Sequence, residues 1–544
     1  MGQPTVRSMT FPCGKGGLNR MDNYLNFPVE DLAWIDGITV ENTAWEKEAG
    51  AIKLNSEAKS TDILTVRDFW YDDQVDAEER IYCLLDDKNI LELDSAGATT
   101  TTMDMSLNIT GTLTTATFLP GFTDATTFAP GFISTPTPGI FRTLILFTDA
   151  GLPVYMVPPA WNGTSDPNFF LTGYQAADWT SANGFPHFGF HHNFRVLAFT
   201  KTSSIIYMSN PKNHIQFDAD SPNTYIMDVY PGEERYIAAG VSWRQTAYLF
   251  KYEYGIYVLN DTDSNIASWR VDKLTDSFGV AGHGCVLSYE KDVIVLSAEG
   301  YFYSLSDIVT LGQKDVVPIL PQELGEFIRS EINTSRLDLV RSVYYARKRQ
   351  IIFMLPATGT TVLNRRLVFD MAMPQRVRIT WSERDTCLDL TVRRNSGVQQ
   401  PMWCDADGFI WLGDQATRSK DSGAYTGQFE TPPISPYPNG EQYFNLKEVQ
   451  VTMKPTGNYD LSLEVHTDNT LRDTLTVSQQ ASGVPTGSFS LDADVLAGTV
   501  VKTTHFRING EATRIKLLGR NTAAGETFAV QNITVRGTPG RVGI

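Results

Sequence analysis

Close cysteine pairs are missing from this sequence. The five cysteines, Cys13, Cys83, Cys285, Cys387 and Cys404, stand far apart, with no Cys-x-x-Cys and no metal-ligand spacing. That excludes a zinc ribbon or disulfide framework read from spacing, and it leaves reduced, structural thiols. Charge is sparse at 20% of residues, and positive charge is short: 45 Lys and Arg against 62 Asp and Glu, a net −17. A protein that grips a phosphate backbone carries a positive face, so the bulk balance argues against general nucleic-acid affinity. No stretch approaches the ~20 apolar residues of a membrane helix. Met1 to Thr10 carries Arg7 but no apolar core of a secretory signal, so none is expected.

Catalytic signatures are equally scarce. Gly14 to Gly17 invites a phosphate-loop reading, but no Gly-Lys-Ser/Thr ending and no preceding apolar strand accompany it. There is no Gly-x-Ser-x-Gly elbow. The Ser-x-Asp-x-Gly-x-Thr-Trp boxes of sialidase-type propellers are absent, and no spacing selects a pair of carboxylates for glycoside hydrolysis.

What is present is one short pattern, repeated. Gly255-Ile-Tyr-Val-Leu-Asn260 alternates apolar residues into a turn, as a half-buried strand does. Asn89 to Asp94, Ser204 to Asn210, Gly300 to Leu305 and Gly408 to Asp414 are further copies. From 204 to 300 they lie roughly 45–50 residues apart, the length of one four-stranded propeller blade. The gap from 300 to 408 is about twice that. The fold expected is all-β: an irregular β-propeller over 61–430, with an N-terminal docking arm over 1–60 and a β-sandwich with a C-terminal tail over 431–544.

Within that frame, 95–139 reads as a Thr/Pro/Gly-rich loop. Phe118-Leu-Pro-Gly-Phe122 and Phe128-Ala-Pro-Gly-Phe132 form a small repeat in it, each Pro-Gly a type II turn signal. The acidic stretch Asp68 to Arg80 reads as a solvated loop, and 158–194 as loop-like. One short helix is expected near 321–332, with Pro321 at its first position and Leu324, Phe327, Ile328 and Ile332 on one face. Gly423 to Gly440, with Pro432, Pro433, Pro436 and Pro438, reads as a linker. The longer alternation of Phe444 to Met453 and Phe528 to Val535 then marks the sandwich.

Four groups of residues could carry chemistry, each with a plainer reading beside it. His187, His191 and His192, with His214, could hold a metal, or form an aromatic-rich loop. Asp261, Asp263 and Asn265 start like a calcium loop, but Ile266 stands where glycine is wanted and Asp272 where glutamate is; the alternative is a turn built on Asx side chains. Trp161, Tyr174 and Trp179 could stack on sugar rings. The basic clusters Arg341, Arg347-Lys348-Arg349, Arg365-Arg366 and Arg376 with Arg378 could touch DNA or a partner, or end in salt bridges. No catalytic, cofactor-binding or metal residue is assigned.

The order of parts resembles the tail nozzle (tail tubular protein B) family of short-tailed bacteriophages. Gly16-Gly17-Leu18-Asn19 leading to Phe27-Pro28 is similar to the opening of such chains. The single helix before the Tyr344-Tyr345 hairpin and the Leu367 to Asp370 strand follows their propeller. Ile533-Thr-Val-Arg-Gly537 and the tail Gly540 to Ile544 follow their sandwich. In place of the basic run such chains carry after the arm, Trp45-Glu-Lys-Glu-Ala-Gly50 is mixed in charge. The resemblance implies a non-enzymatic virion protein, made in the bacterial cytoplasm and placed at the distal end of a short tail. It implies a homohexameric ring bound to adaptor and portal rings above and to a fibre, spike or plug protein below. DNA would pass through the lumen without specific binding. The alternative carried from the residues is a carbohydrate-binding or depolymerising propeller.

Overall fold

The computed structural model describes residues 6–13, 17–19, 31–41, 44–72, 77–124, 140–157, 168–171, 176–211, 213–218, 224–230, 235–311, 316–372, 377–395, 397–435, 437, 442–454, 459–478 and 501–542. Its architecture is all-β, a propeller joined to a sandwich. Seven small antiparallel sheets follow one another along the chain among the described residues. Blade 1 is Ile63–Asp72, Ala77–Leu85, Asn89–Leu93 and Thr99–Asp104. Blade 2 is Ala116–Asp124, Ile140–Thr148, Gly151–Val157 and Asn168–Leu171. Blade 3 is Pro186–His192, Arg195–Thr200, Ile205–Met208 and Tyr225–Asp228. Blade 4 is Ile237–Trp243, Thr246–Lys251, Ile256–Asn260 and Arg270–Thr275. Blade 5 has three strands, Val286–Ser288, Val293–Leu296 and Phe302–Ser304. Blade 6 is Arg341–Tyr345, Gln350–Pro356, Leu363–Asp370 and Arg378–Ser382. Blade 7 is Asp389–Asn395, Val398–Cys404 and Ile410–Gln415, completed by Gly50–Lys53. The first strands of successive blades touch in order, and that of blade 7 touches that of blade 1, so the ring is closed.

The repeated sequence pattern is the third strand of a blade. It occupies that place in blades 1, 3, 4, 5 and 7, and glycine supplies the left-handed turn just before it at Gly255, Gly300 and Gly408 (φ 107°, 93° and 78°). The doubled gap hides blade 6. Its third strand starts at Leu363, four residues past the turn glycine Gly359 (φ 77°) instead of directly after it, and its Arg365 and Arg366 break the apolar alternation.

The described parts of residues 1–60, expected as an N-terminal docking arm, are built into the fold. Among the described residues of this segment, Arg7–Pro12 pairs with Ala529–Val542, Trp34–Asp36 with Gly427–Glu430, and Ile38–Glu41 with Ala44–Lys47, which reaches Ala529–Val542 in turn. The segment is therefore part of the sandwich, and its last strand is the outer strand of blade 7. The cause is hydrophobic: Phe11, Ile35, Ile38 and Trp45 are all buried. Phe27-Pro28 and Gly14 to Gly16 lie outside the described residues.

The sandwich has two sheets. One runs in the order Ile38–Glu41, Ala44–Lys47, Ala529–Val542, Gln442–Met453, Lys502–Ala512. The other runs Trp34–Asp36, Gly427–Glu430, Ile515–Asn521, Asp460–Thr467, Thr470–Ser478. Asp460–Thr467 alternates one residue in, one out, as a strand covered on one face does. The expected linker is thus partly sandwich: Gly427–Glu430 is a strand, and Thr431 and Ile434 are buried behind it.

Three loop expectations also change. Phe118 to Phe122 lies inside the first strand of blade 2, where Pro120 pairs with Leu144 and Gly121 with Thr143, so its Pro-Gly is extended rather than a turn. The second copy, Phe128 to Phe132, lies outside the described residues. Asp68 to Arg80 extends the first hairpin of blade 1, and 158–194 contributes Asn168–Leu171 and Pro186–His192.

Two α-helices stand where a fourth strand of blade 5 would be. The first, α1 (Leu305–Leu311), was not anticipated. The second, α2 (Gln322–Glu331), is the expected one, with Pro321 as its cap rather than its first residue. Leu324 and Ile328 face inward, and the Phe327 ring meets Trp34 of the sandwich at 5.9 Å and Trp381 of blade 6 at 6.3 Å. One apolar cluster runs through blades 4 to 6, α2 and the sandwich without a break, which couples the two bodies.

Candidate functional site

The histidines do not form a ligand set. His187, His191 and His192 lie on the first strand of blade 3, but each ring has a different neighbourhood. His187 is buried against Phe188 and Tyr236, and burial together with the Lys201 charge pushes its pKa down to about 3. His191 Nε2 is 2.5 Å from the Pro120 carbonyl. His214, whose ring centroid is 5.0 Å from that of His191, accepts from the Phe122 N–H through Nδ1 (3.1 Å) and donates from Nε2 to the Phe194 carbonyl (3.0 Å). Both of its nitrogens are engaged, and burial beside His191 pushes it down to about 4. Among the described residues no three His, Cys, Asp or Glu side chains gather as a metal site would require.

His192 joins two of the sequence candidates. Its Nε2 is 2.9 Å from Asp261 and its Nδ1 2.9 Å from the Ser242 hydroxyl, so it links blade 3 to blade 4. The rest of the calcium-like stretch is an Asx turn. Asp263 Oδ1 accepts from the Asn265 N–H, Asn265 Oδ1 caps Ala267, and the Trp269 indole donates to the Asp263 carbonyl. Asp272 lies on the outer strand of blade 4 beside Arg270 and does not converge with them.

Trp179 is not a sugar platform. It is 4% exposed and wedged between Tyr207 and Phe217 at 5.2 and 5.0 Å. Trp161 and Tyr174 lie outside the described residues.

The basic clusters end in ion pairs, between blades at Lys348 and Arg349 and within or just past blade 6 at Arg365 and Arg378. Lys348 meets Asp414 at 2.6 Å, Arg349 meets Glu290 at 3.3 Å, Arg365 meets Glu383 at 3.3 Å, and Arg378 pairs with Asp370. Arg376 lies outside the described residues. Arg366 enters a buried network: it contacts Glu48 and lies 3.1 Å from Asp385. Arg384 reaches Asp385 at 3.0 Å and the Ala49 carbonyl at 3.0 Å, and Lys420 approaches Asp385 at 3.6 Å. Three cations thus surround Asp385 in the connection between blades 6 and 7. They overcome its burial and hold its pKa down to about 2. Glu48 lies two residues before the strand that closes blade 7, Gly50–Lys53, so the network clasps the closure.

The sequence reading missed the axis of the ring. Two cavities lie there, of about 210 and 430 Å³. The larger is bounded by strands of blades 1, 2, 6 and 7. Blades 2 and 6 are not neighbours, so the space between them spans the axis. The smaller is bounded by blades 1, 2, 5, 6 and 7 and shares Arg67 and Thr391 with the larger. In the smaller chamber Arg341 is paired with Asp389 at 3.1 Å. In the larger, Arg67, Arg142 and Arg394 share the wall, among the described residues, with one carboxylate, Asp68. The available signal was an arginine inside an otherwise apolar strand, at Arg67 after Ile63-Leu-Thr-Val and at Arg142 before Thr-Leu-Ile-Leu.

No protein-family model and no curated protein matches the sequence. Solved structures do match in fold. The computationally designed Ika8 protein is 9% identical with a TM-score of 0.36, over 67% of this chain and 99% of its own. BamB from Moraxella catarrhalis is 10% identical with a TM-score of 0.36, over 68% and 98%. BBS1N, solved in complex with ARL6DN, is 9% identical with a TM-score of 0.40, over 67% and 95%. Likenesses this distant carry no functional meaning.

Proposed function

We propose that the chain is a structural virion protein, a subunit of a short-tailed phage nozzle that assembles as a ring and performs no catalysis. The observation that supports this best is the order of parts: a propeller interrupted by α2 before the Tyr344-Tyr345 hairpin, then a sandwich ending at Ala529–Val542. The continuous core through α2, Trp34 and Trp381 makes propeller and sandwich one stiff unit, which suits a load-bearing ring. Because the described part of the N-terminal segment is consumed inside the fold, ring contacts in this reading come from the propeller rims and the sandwich. Adaptor and portal rings above and a fibre, spike or plug below are the partners proposed. A lumen that lets DNA slide is best lined without net positive charge, and −17 per chain is compatible with that.

Mass photometry of the purified chain across a concentration series tests the proposal. Particles of six chain masses, ring-shaped in electron micrographs and giving no DNA mobility shift at physiological salt, are expected. A strictly monomeric protein at high concentration would overturn it. The carbohydrate reading is left without Trp179, and no other observation favours it.

A further inference from the structure

The net charge of this protein is strongly negative, yet its axial cavity is lined with the opposite sign. Among the described charged residues around the 430 Å³ chamber, Arg67, Arg142 and Arg394 are cationic and only Asp68 is anionic. Elsewhere the basic clusters of blades 6 and 7 are met by carboxylates, as at Arg341, Lys348, Arg366 and Arg378. Arg67 and Arg142 make no ion pair among the described residues. Arg67 has one long contact, 3.4 Å from Nη1 to the Thr391 hydroxyl, and its Nε is buried with no hydrogen-bond partner. A buried donor left in that state costs free energy unless something accepts from it. Arg142 sits with its guanidinium 5.2 Å from the centre of the Phe69 ring, which holds the cation in place without neutralising it. Asp68 accepts from the Arg394 backbone N–H at 2.8 Å, so its carboxylate is directed toward blade 7.

We propose that this chamber is a binding site for a small polyvalent oxyanion, gripped by the Arg67 and Arg142 guanidinium groups. Planar guanidinium forks match phosphate and carboxylate oxygens two at a time, and they do so most strongly where water is partly excluded. A chamber of this size falls in the range of small-ligand sites and exceeds what a single inorganic phosphate fills. The ligand class is therefore an anion with at least two oxyanion groups, such as a diphosphate or a tricarboxylate. Phe69 and Tyr344 complete the wall with aromatic rings and Thr391 with a hydroxyl, while the Tyr344 hydroxyl is taken by Glu290 at 2.9 Å. The site stands independently of the assembly reading, since it is built within one chain.

Isothermal titration of the full-length protein with sodium pyrophosphate, and separately with citrate, each against sodium chloride at matched ionic strength, tests the proposal. Saturable one-to-one binding of at least one of the two anions is expected; which one binds assigns the phosphate or the carboxylate class. Arg142→Gln and Arg67→Gln should each weaken that binding at least tenfold, with Arg142→Lys intermediate because the charge stays and the fork is lost. Arg270→Gln, a surface arginine on the outer strand of blade 4, should leave it unchanged. Arg142 is solvent-accessible, so its variants are expected to melt as the parent does without ligand. No saturable binding of either anion, or equal weakening by Arg270→Gln, would overturn the proposal.

Discussion

Asp385→Asn is the most informative single change to the closure of the ring. The side chain is buried between Arg366, Arg384 and Lys420, with Glu48 as the other nearby carboxylate of the network. Replacing it by the neutral amide leaves three cations facing one anion in a site that excludes water, and breaking such a buried pair costs about 3–5 kcal/mol. The pH dependence supplies a second, independent magnitude. Its carboxyl is held down to about 2 in the folded protein, against about 3.9 in an unfolded chain. A depressed carboxyl contributes stability that is complete above the unfolded value and is lost as pH falls toward the folded one. The difference corresponds to about 2–3 kcal/mol at pH 7 and about half of that near pH 3. The assay is urea unfolding of both proteins by tryptophan fluorescence from pH 7 down to pH 3. Hydrogen exchange over Gly50–Lys53 and Ile410–Gln415 should accompany it, because a molecule of two bodies need not unfold in one step. The variant should be weaker at pH 7, with lost protection concentrated in those two strands, and the gap should narrow below pH 4. A gap independent of pH, or protection lost evenly across all blades, would refute the reasoning.

Asp36→Asn should act in the opposite direction. Burial, reinforced by Glu383 and Glu48, pushes the Asp36 carboxyl up to about 6, so the folded state penalises its charged form. The favourable contribution of the protonated acid is present below pH 4 and is lost as pH rises through 6. The amide should therefore raise the urea midpoint at pH 7.5, by the equivalent of about 2–3 kcal/mol, and leave it unchanged near pH 4. It can still accept the Glu383 N–H, which lies 3.1 Å away; a lowered midpoint at pH 7.5 would count against this. Leu54→Pro removes the N–H that reaches the Ile410 carbonyl at 2.7 Å, just past the closing strand. Exchange protection in Ile410–Gln415 should fall while that in blades 3 and 4 is retained; an unchanged pattern would show that the strand is not the latch.

How much of this was legible follows from how far apart the interacting residues lie. A blade is a local meander, so its third strand, turn glycine and alternation fall within one short window, and Gly255 to Asn260 or Gly408 to Asp414 can be read without knowing any partner. The helix was legible for the same reason: Leu324, Phe327 and Ile328 repeat at 3.6 residues on one segment. The N-terminal strands were not. Trp34–Asp36 has three residues, too few to show a period, and its partner is Gln428 to Glu430. Arg7 pairs with Gly537, across nearly the whole chain. Strand pairing of that range leaves no local trace, so Phe11, Ile35 and Trp45 read as scattered apolar residues in a glycine-rich arm when they are in fact core. The axial arginines are the extreme case. Arg67 on the first strand of blade 1 and Arg142 on the second strand of blade 2 come to share a chamber with Arg394 only when the last blade meets the first. A property created by closing a ring belongs to none of its repeats, and that is why the repeats announced the propeller while the chamber at its centre stayed hidden.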